Sequence, residues 1–192
     1  WTPQAAQPLV PDEPVTVLSA AQDAGRKICD AYLLARGLAP QPLREDEQTE
    51  LLKTLLARPR RRELEQASYT LLFGGLSLAA LTHLTRHRMQ SLCPPQLLQN
   101  IRYDRYVLPQ SVRDKGMEAR YRSAFELAGQ AAAQLRDRGA DESALCYLML
   151  SGQTVPVLTT MNAGELYVFF RLRCCTRAQW EIRDAACQAL AA

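Results

Sequence analysis

The chain has 192 residues, 47% of them hydrophobic and 22% charged, and its formal net charge is +3 at pH 7. This composition predicts a globular protein of one domain or little more, long enough to bury a core. No apolar run approaches the roughly 18 residues of a membrane-spanning helix, and acidic residues nearly balance basic ones, so we expect neither a membrane protein nor a binder of nucleic acid polymers.

The six cysteines show no Cys-x-x-Cys spacing, and no secretory signal is visible. We therefore expect reduced thiols and a cytoplasmic location. His83 and His87 lie four positions apart, but no Glu follows His83, so the His-Glu-x-x-His pattern of zinc proteases is absent. The sequence predicts no metal site.

The first third of the chain predicts an extended arm, one strand and two helices. Four prolines lie within residues 1–14, and we expect a single domain over residues 15–192. Residues 15–18 have strand composition, whereas apolar residues recur at helical spacing over residues 20–34 and 45–57.

An apolar run leads into the most basic motif of the middle region, Arg86-His87-Arg88. Residues 67–73 have strand composition, Gly74 and Gly75 predict a break, and residues 76–84 predict a buried helix. Cations after such a helix stabilise its C-terminal dipole, which is a purely structural interpretation. The alternative is an anion or cofactor site, because an Arg guanidinium grips phosphate bidentately. The residues alone favour the structural interpretation.

The second half of the chain alternates extended segments with helices. The expected extended segments are 89–92, 101–108 and 154–160. The expected helices are 114–138, a short helix capped by Asp141 or Ser143 and running to 150, one starting at Asn162, and a last one capped by Thr176. The pattern predicts an α+β fold, with a small mixed or antiparallel sheet packed against long helices.

Arg86-His87-Arg88 resembles the signature of the flavin-dependent thymidylate synthases, the ThyX family. A second segment supports this: Asn162-Ala163, then Leu172-Arg173, then Ala-Gln-Trp-Glu-Ile over residues 178–182 resemble the family's Asn-Ala-Arg, Leu-Arg and Ala-Gln-Trp-Glu-Ile. The resemblance extends over about residues 14–192. It implies a ThyX-like fold and a homotetramer that binds FAD and uses NADPH and methylenetetrahydrofolate to methylate C5 of dUMP.

The resemblance also implies site residues. Its motif positions, together with a basic segment over residues 58–62 where the family contacts the flavin, give as FAD contacts Arg86, His87, Arg88, Asn162, Arg62 and Glu65. Arg173 takes the place of the catalytic Arg that orients the substrate pyrimidine beside the flavin. Without the resemblance, Arg173 is a cation at a helix C-terminus and Asn162 is a helix N-cap.

Several family positions on the nucleotide side are changed. Gln96 replaces the motif Ser, His83 replaces a nucleotide-binding Gln, and a phosphate-binding Arg is lost around Leu145. Gly164 replaces the Arg of Asn-Ala-Arg. Because an unpaired phosphate in a partly buried site is costly, we expect dUMP to bind poorly. His83 and Gln96, with Arg173, are then the candidate contacts of a different acceptor.

Three functional hypotheses follow from this combination. The first is an FAD-dependent enzyme that moves a one-carbon unit to an acceptor other than dUMP, either a modified nucleotide or a natural-product intermediate. The second is a degenerate, non-catalytic FAD-binding or assembly subunit, and the third is an ordinary flavin-dependent thymidylate synthase. We also expect a homotetramer, because apolar residues in 71–84 and 168–172 exceed what one small domain easily buries.

Overall fold

The computed structural model describes residues 14–100 and 102–192, apart from the side chain of Gln99. These residues form two compact units. The first unit comprises residues 73–86 and 93–157 with Pro14, and the second comprises residues 15–72, 87–92 and 158–192. Apart from Pro14, the expected arm lies outside the described residues, and the expected domain boundary stays a prediction. Within the described residues, no helix is long and apolar enough to cross a membrane.

The strands are β1 (Val15–Ala20), β2 (Ser68–Ser77), β3 (Gln90–Cys93) and β4 (Thr154–Asn162). The α-helices are α1 (Ala24–Leu34), α2 (Glu45–Leu56), α3 (Leu78–Leu84), α4 (Leu97–Asn100), α5 (Gln110–Asp114), α6 (Glu118–Asp137), α7 (Ala163–Arg173) and α8 (Trp180–Ala191). Two 3-10 helices cover Arg62–Gln66 and Glu142–Leu148.

The four strands form an antiparallel sheet in the order β1-β2-β4-β3. The hydroxyls of Thr70 on β2 and Thr160 on β4 lie 2.9 Å apart, which fixes the register of this pair. Alternate residues of β4 are buried, namely Val155, Val157, Thr159 and Met161. This period of two is typical of a strand with one face on a core. The predicted α+β fold with a small sheet is confirmed.

Strand β2 continues through Gly74 and Gly75, so the predicted break there is wrong. The Gly74 N–H donates to the Pro14 carbonyl at 2.8 Å, and this pairing holds the glycine in an extended conformation. The helix therefore begins at Leu78 rather than at residue 76, with the Ser77 hydroxyl accepting from the Ala80 N–H at 3.0 Å. Backbone pairing outweighs the low strand propensity of glycine.

The helix predicted over residues 114–138 begins later, as α6 at Glu118, and the separate short helix α5 ends at Asp114. Gly116 lies between them with φ of +64°, a left-handed conformation that interrupts a helix and that glycine adopts without strain. The strand predicted over residues 101–108 is wrong over its described part, where one isolated bridge joins Tyr106 to Gln153.

Helices α1 and α8 begin later than predicted. Helix α1 begins at Ala24 after Asp23, whose φ is +50°, and not at residue 20. Helix α8 begins at Trp180, because the Gln179 side chain accepts from the Ile182 N–H at 2.9 Å, whereas Thr176 was the expected cap. The predicted cap at Asp141 is confirmed, since its carboxylate accepts from the Ser143 N–H at 2.7 Å.

Candidate functional site

His87 is the buried member of the Arg86-His87-Arg88 motif. It lies between α3 and β3 and is 5% exposed, whereas both arginines are exposed. Its ring meets the edge of the Phe169 ring at 5.2 Å between centroids, with an interplanar angle of 76°. Phe169 is itself fully buried on α7. His87 therefore packs within the second unit.

Two side chains of α7 contact the ring nitrogens of His87. Nδ1 lies 2.8 Å from a carboxylate oxygen of Glu165, and Nε2 lies 3.0 Å from Nε of Arg173. The Arg173 Nε–H is always a donor, so Nε2 accepts, and the single proton of the neutral ring is on Nδ1. Glu165 accepts that proton's hydrogen bond. The result is a chain of three side chains, Glu165–His87–Arg173, which we call the Glu-His-Arg chain.

The pKa of His87 is lowered from its ordinary value of 6.5. Burial is the largest cause and the Arg173 charge adds to it, while the hydrogen bond and charge of Glu165 oppose it. The charged groups that face the ring are thus Glu165 and Arg173. Neutral His87 is the form that accepts from Arg173, since a protonated ring has no acceptor nitrogen.

We expect acid to destabilise the fold through His87. The unfolded chain takes up this proton near pH 6.5, while the folded chain resists it, so the free energy of unfolding falls as pH drops below about 6.5. The slope from this one group is at most about 1.4 kcal/mol per pH unit. Urea unfolding at a series of pH values measures it. The His87→Gln variant should lose that part of the slope, and equal slopes in both proteins would contradict the expectation.

Asn162 caps α7. Its side-chain oxygen accepts from the Glu165 N–H at 2.9 Å, as expected of a helix N-cap. Asn162 also lines a neighbouring cleft. The structural role of Asn162 is confirmed, and its role toward a cofactor stays a prediction.

A polar cleft of about 320 Å³ lies in the second unit beside Asn162. Its lining includes Glu65, Ser68, Arg88, Gln90, Thr160 and Asn162. A smaller pocket of about 160 Å³ shares Glu65, Met89 and Asn162 with the cleft and extends to Gly164 and Glu165. Three predicted cofactor contacts, Glu65, Arg88 and Asn162, therefore line one cleft.

The residues of this polar cleft fit part of a flavin nucleotide. The Arg88 guanidinium suits a phosphate, and hydroxyl and amide groups suit the polar edges of a ring or ribose. A Cβ at Gly164 would lie 3.2 Å from the Asn162 side-chain oxygen, which is closer than an ordinary van der Waals contact.

Other predicted site residues lie elsewhere. Arg62 is exposed at the start of a 3-10 helix and does not line either pocket. Arg86, His83 and Gln96 belong to the first unit, where His83 is half-buried on α3 and Gln96 is exposed. Leu145 is 3% exposed and packs in a core.

No sequence pattern pointed directly to the contact between Glu165 and His87. Glu165 is the third residue after the Asn162 cap, a position where Glu commonly completes a helix-capping box. This local explanation gives no reason to look for the actual partner, His87, which lies 78 positions earlier in the chain. The structure shows that Glu165 is only 9% exposed, and a buried Glu of this kind indicates a specific partner.

A family model described as thymidylate synthase complementing protein matches residues 12–192. The flavin-dependent thymidylate synthase of Sulfolobus acidocaldarius is 36% identical over 126 residues, which cover 64% of this chain and 48% of the relative. That of Geobacter sulfurreducens is 36% identical over 157 residues, covering 78% and 66%. That of Clostridium tetani is 27% identical over 179 residues, covering 83% and 71%.

The matched part spans from about half to two thirds of the first two relatives. The family model, in contrast, matches nearly all of the chain and includes both motif segments, around Arg86–Arg88 and Asn162–Arg173. These two segments meet in the structure at the hydrogen bond between His87 and Arg173. The chain belongs to the thymidylate synthase complementing protein family, the family of the flavin-dependent thymidylate synthases.

Proposed function

We propose that the protein is a flavin-dependent transferase of the thymidylate-synthase type. It would bind FAD and move a one-carbon unit from methylenetetrahydrofolate to an acceptor, with NADPH as reductant. The observation that carries the proposal is the 3.0 Å hydrogen bond between His87 and Arg173, because it joins the two segments on which the family resemblance depends. The names of the relatives support the same chemistry.

The residues of the chain would bind and orient the reactants. Bound FAD would supply electron transfer and carry the one-carbon unit. Arg88 in the polar cleft would pair with a cofactor phosphate, and Asn162 would offer its amide to a polar edge of the cofactor. Arg173, held by His87, would orient a planar acceptor. Because FAD would supply the reactive chemistry, no nucleophile from the protein is required.

The acceptor we propose is one other than dUMP. Support comes from Gln96, His83 and the neighbourhood of Leu145, where the family residues that bind the nucleotide are replaced. Leu145 itself is an uncharged side chain that is buried in a core, so it cannot pair with a phosphate. A phosphate would lose a charge-assisted contact there.

The second candidate is an ordinary flavin-dependent thymidylate synthase, which the names of the relatives favour. An assay with FAD, NADPH, methylenetetrahydrofolate and dUMP separates the two. The proposed acceptor predicts no dTMP and no rescue of a thymidine-requiring host. Robust dTMP formation would overturn the acceptor proposal and establish the second candidate.

Removal of Arg88 should weaken FAD binding. A charge-assisted contact contributes about 1.5–3 kcal/mol, so Arg88→Ala should raise the Kd by roughly 10- to 150-fold in a fluorescence titration. We expect Arg86→Ala to weaken binding as well. The matched control is Arg120→Ala, which removes an exposed Arg from α6. If all four proteins titrate identically, the polar cleft is not the cofactor site.

We also propose a homotetramer. Part of the sequence argument was wrong, because Leu71, Phe73 and Leu84 are buried within the chain. Support remains on the second unit, where Leu172 is 53% exposed and Leu190 is 59% exposed, near an apolar cavity of about 410 Å³ lined by Tyr167 and Phe170. Sedimentation velocity at micromolar concentration should show a tetramer, and a monomer would contradict the proposal.

A further inference from the structure

Glu165 is a buried carboxylate that no part of the proposed chemistry uses. Its side chain is 9% exposed, and one of its oxygens lies 2.8 Å from Nδ1 of His87. A buried charge is costly unless it is paired or hydrogen-bonded, so a Glu at this place needs a partner. His87 supplies that partner, and His87 in turn contacts Arg173.

Only one neutral tautomer of His87 can form both hydrogen bonds of the Glu-His-Arg chain. Arg173 donates an N–H at Nε, so the imidazole must accept there. An ionised carboxylate only accepts, so the imidazole must donate to Glu165. Neutral His87 with its proton on Nδ1 satisfies both ends. The other neutral tautomer would oppose two N–H groups at Nε2 and leave Nδ1 facing the carboxylate without a proton.

We propose that Glu165 is a positioning residue for Arg173: its carboxylate holds the His87 ring with the proton on Nδ1, and Nε2 then fixes the orientation of the Arg173 guanidinium. This rests on the proposed function only where it concerns Arg173 and the acceptor. Glu165 and Arg173 lie at opposite ends of the same helix, α7, so the helix carries both the support and the residue that is positioned. His87 acts through Arg173 and has both ring nitrogens engaged by the protein.

The first test reads the tautomer directly in the unmodified protein. The chain contains two histidines, so nitrogen-15 labelling of histidine gives two ring systems, and a His83→Gln variant assigns them. At neutral pH the His87 spectrum should show a protonated Nδ1 and an unprotonated Nε2. The opposite tautomer, or rapid averaging between the two, would overturn the proposal. This readout requires neither FAD nor turnover.

The second test compares two substitutions of Glu165. In Glu165→Gln the amide oxygen can still accept from Nδ1, so the His87 tautomer should persist and most activity should be retained. In Glu165→Ala the anchor is lost, so the tautomer should become mixed and kcat should fall by about 10- to 100-fold, as is typical when a residue that orients a functional side chain is removed.

The outcomes separate a positioning role from a structural one. If Glu165→Ala lowers the melting temperature but keeps the tautomer and kcat, the proposal is wrong. If the wild-type protein turns over no acceptor, the proposed function fails, yet the nitrogen-15 spectra still decide the tautomer. If Glu165→Ala does not fold, the wild-type and Glu165→Gln spectra decide instead.

Discussion

Arg173→Ala is expected to abolish turnover of the acceptor while FAD stays bound. The guanidinium of Arg173 is held by Nε2 of His87 at the end of α7, and the proposal assigns to it the orientation of the planar acceptor. Loss of one preorganised donor of this kind costs about 10²–10³-fold in kcat. Steady-state kinetics with the true acceptor, beside an FAD titration, measure both properties on one preparation.

The control for this substitution lies two positions earlier on the same helix. Arg171 is exposed, and its guanidinium lies 5.6 Å from the centre of the Tyr167 ring. Arg171→Ala removes an equal charge and an equal length of side chain without touching the Glu-His-Arg chain. It should keep kcat within about threefold, because exposed charges contribute little. Equal losses in the two variants would show that the charge of α7, and not Arg173 itself, matters.

Phe169→Ala is expected to give the largest loss of stability. Phe169 is fully buried, and its ring packs against the His87 ring with the two centroids 5.2 Å apart. Truncation of a buried Phe removes its transfer free energy and leaves a cavity, at a cost of about 3–5 kcal/mol. Urea unfolding at neutral pH measures this loss. Because the ring also supports His87, the histidine tautomer should become mixed in any folded fraction.

The adjacent residue provides a matched comparison for this prediction. Phe170 has the same side chain on the same helix but is only half-buried, at the wall of the apolar cavity. Phe170→Ala should cost roughly 1 kcal/mol, since less apolar surface leaves water on folding. If the two alanine variants are equally stable, the burial of Phe169 does not carry the stability that we assign to it.

Periodic segments of the fold were predictable from the sequence, whereas their junctions were not. The leucine spacing of α2 and the alternation of β4 each match the structure, because one face of each packs on a core. Gly74 and Gly75 were misread because strand pairing decides their conformation, not their propensity. The break before α6 follows from the positive φ of Gly116. A single glycine among residues at helical spacing is not enough to predict such a break.

The site was predictable as a set of motifs but not as a set of contacts. The sequence marked His87 and Arg173, yet their hydrogen bond joins positions 86 residues apart, a distance that local patterns do not bridge. Glu165 was missed because its position beside the Asn162 cap gives it an ordinary local explanation. Asn162, in contrast, was predicted as a helix cap from the neighbouring sequence alone, and the structure confirms the cap.

A titration of the purified protein with FAD, followed by visible flavin absorbance, tests the central proposal most directly. Binding should be saturable with a stoichiometry equal to the number of chains, and it should be weaker in Arg88→Ala than in the Arg120→Ala control. A protein that retains no flavin absorbance after unbound FAD is removed would contradict the proposed flavin enzyme and favour a non-catalytic member of the family.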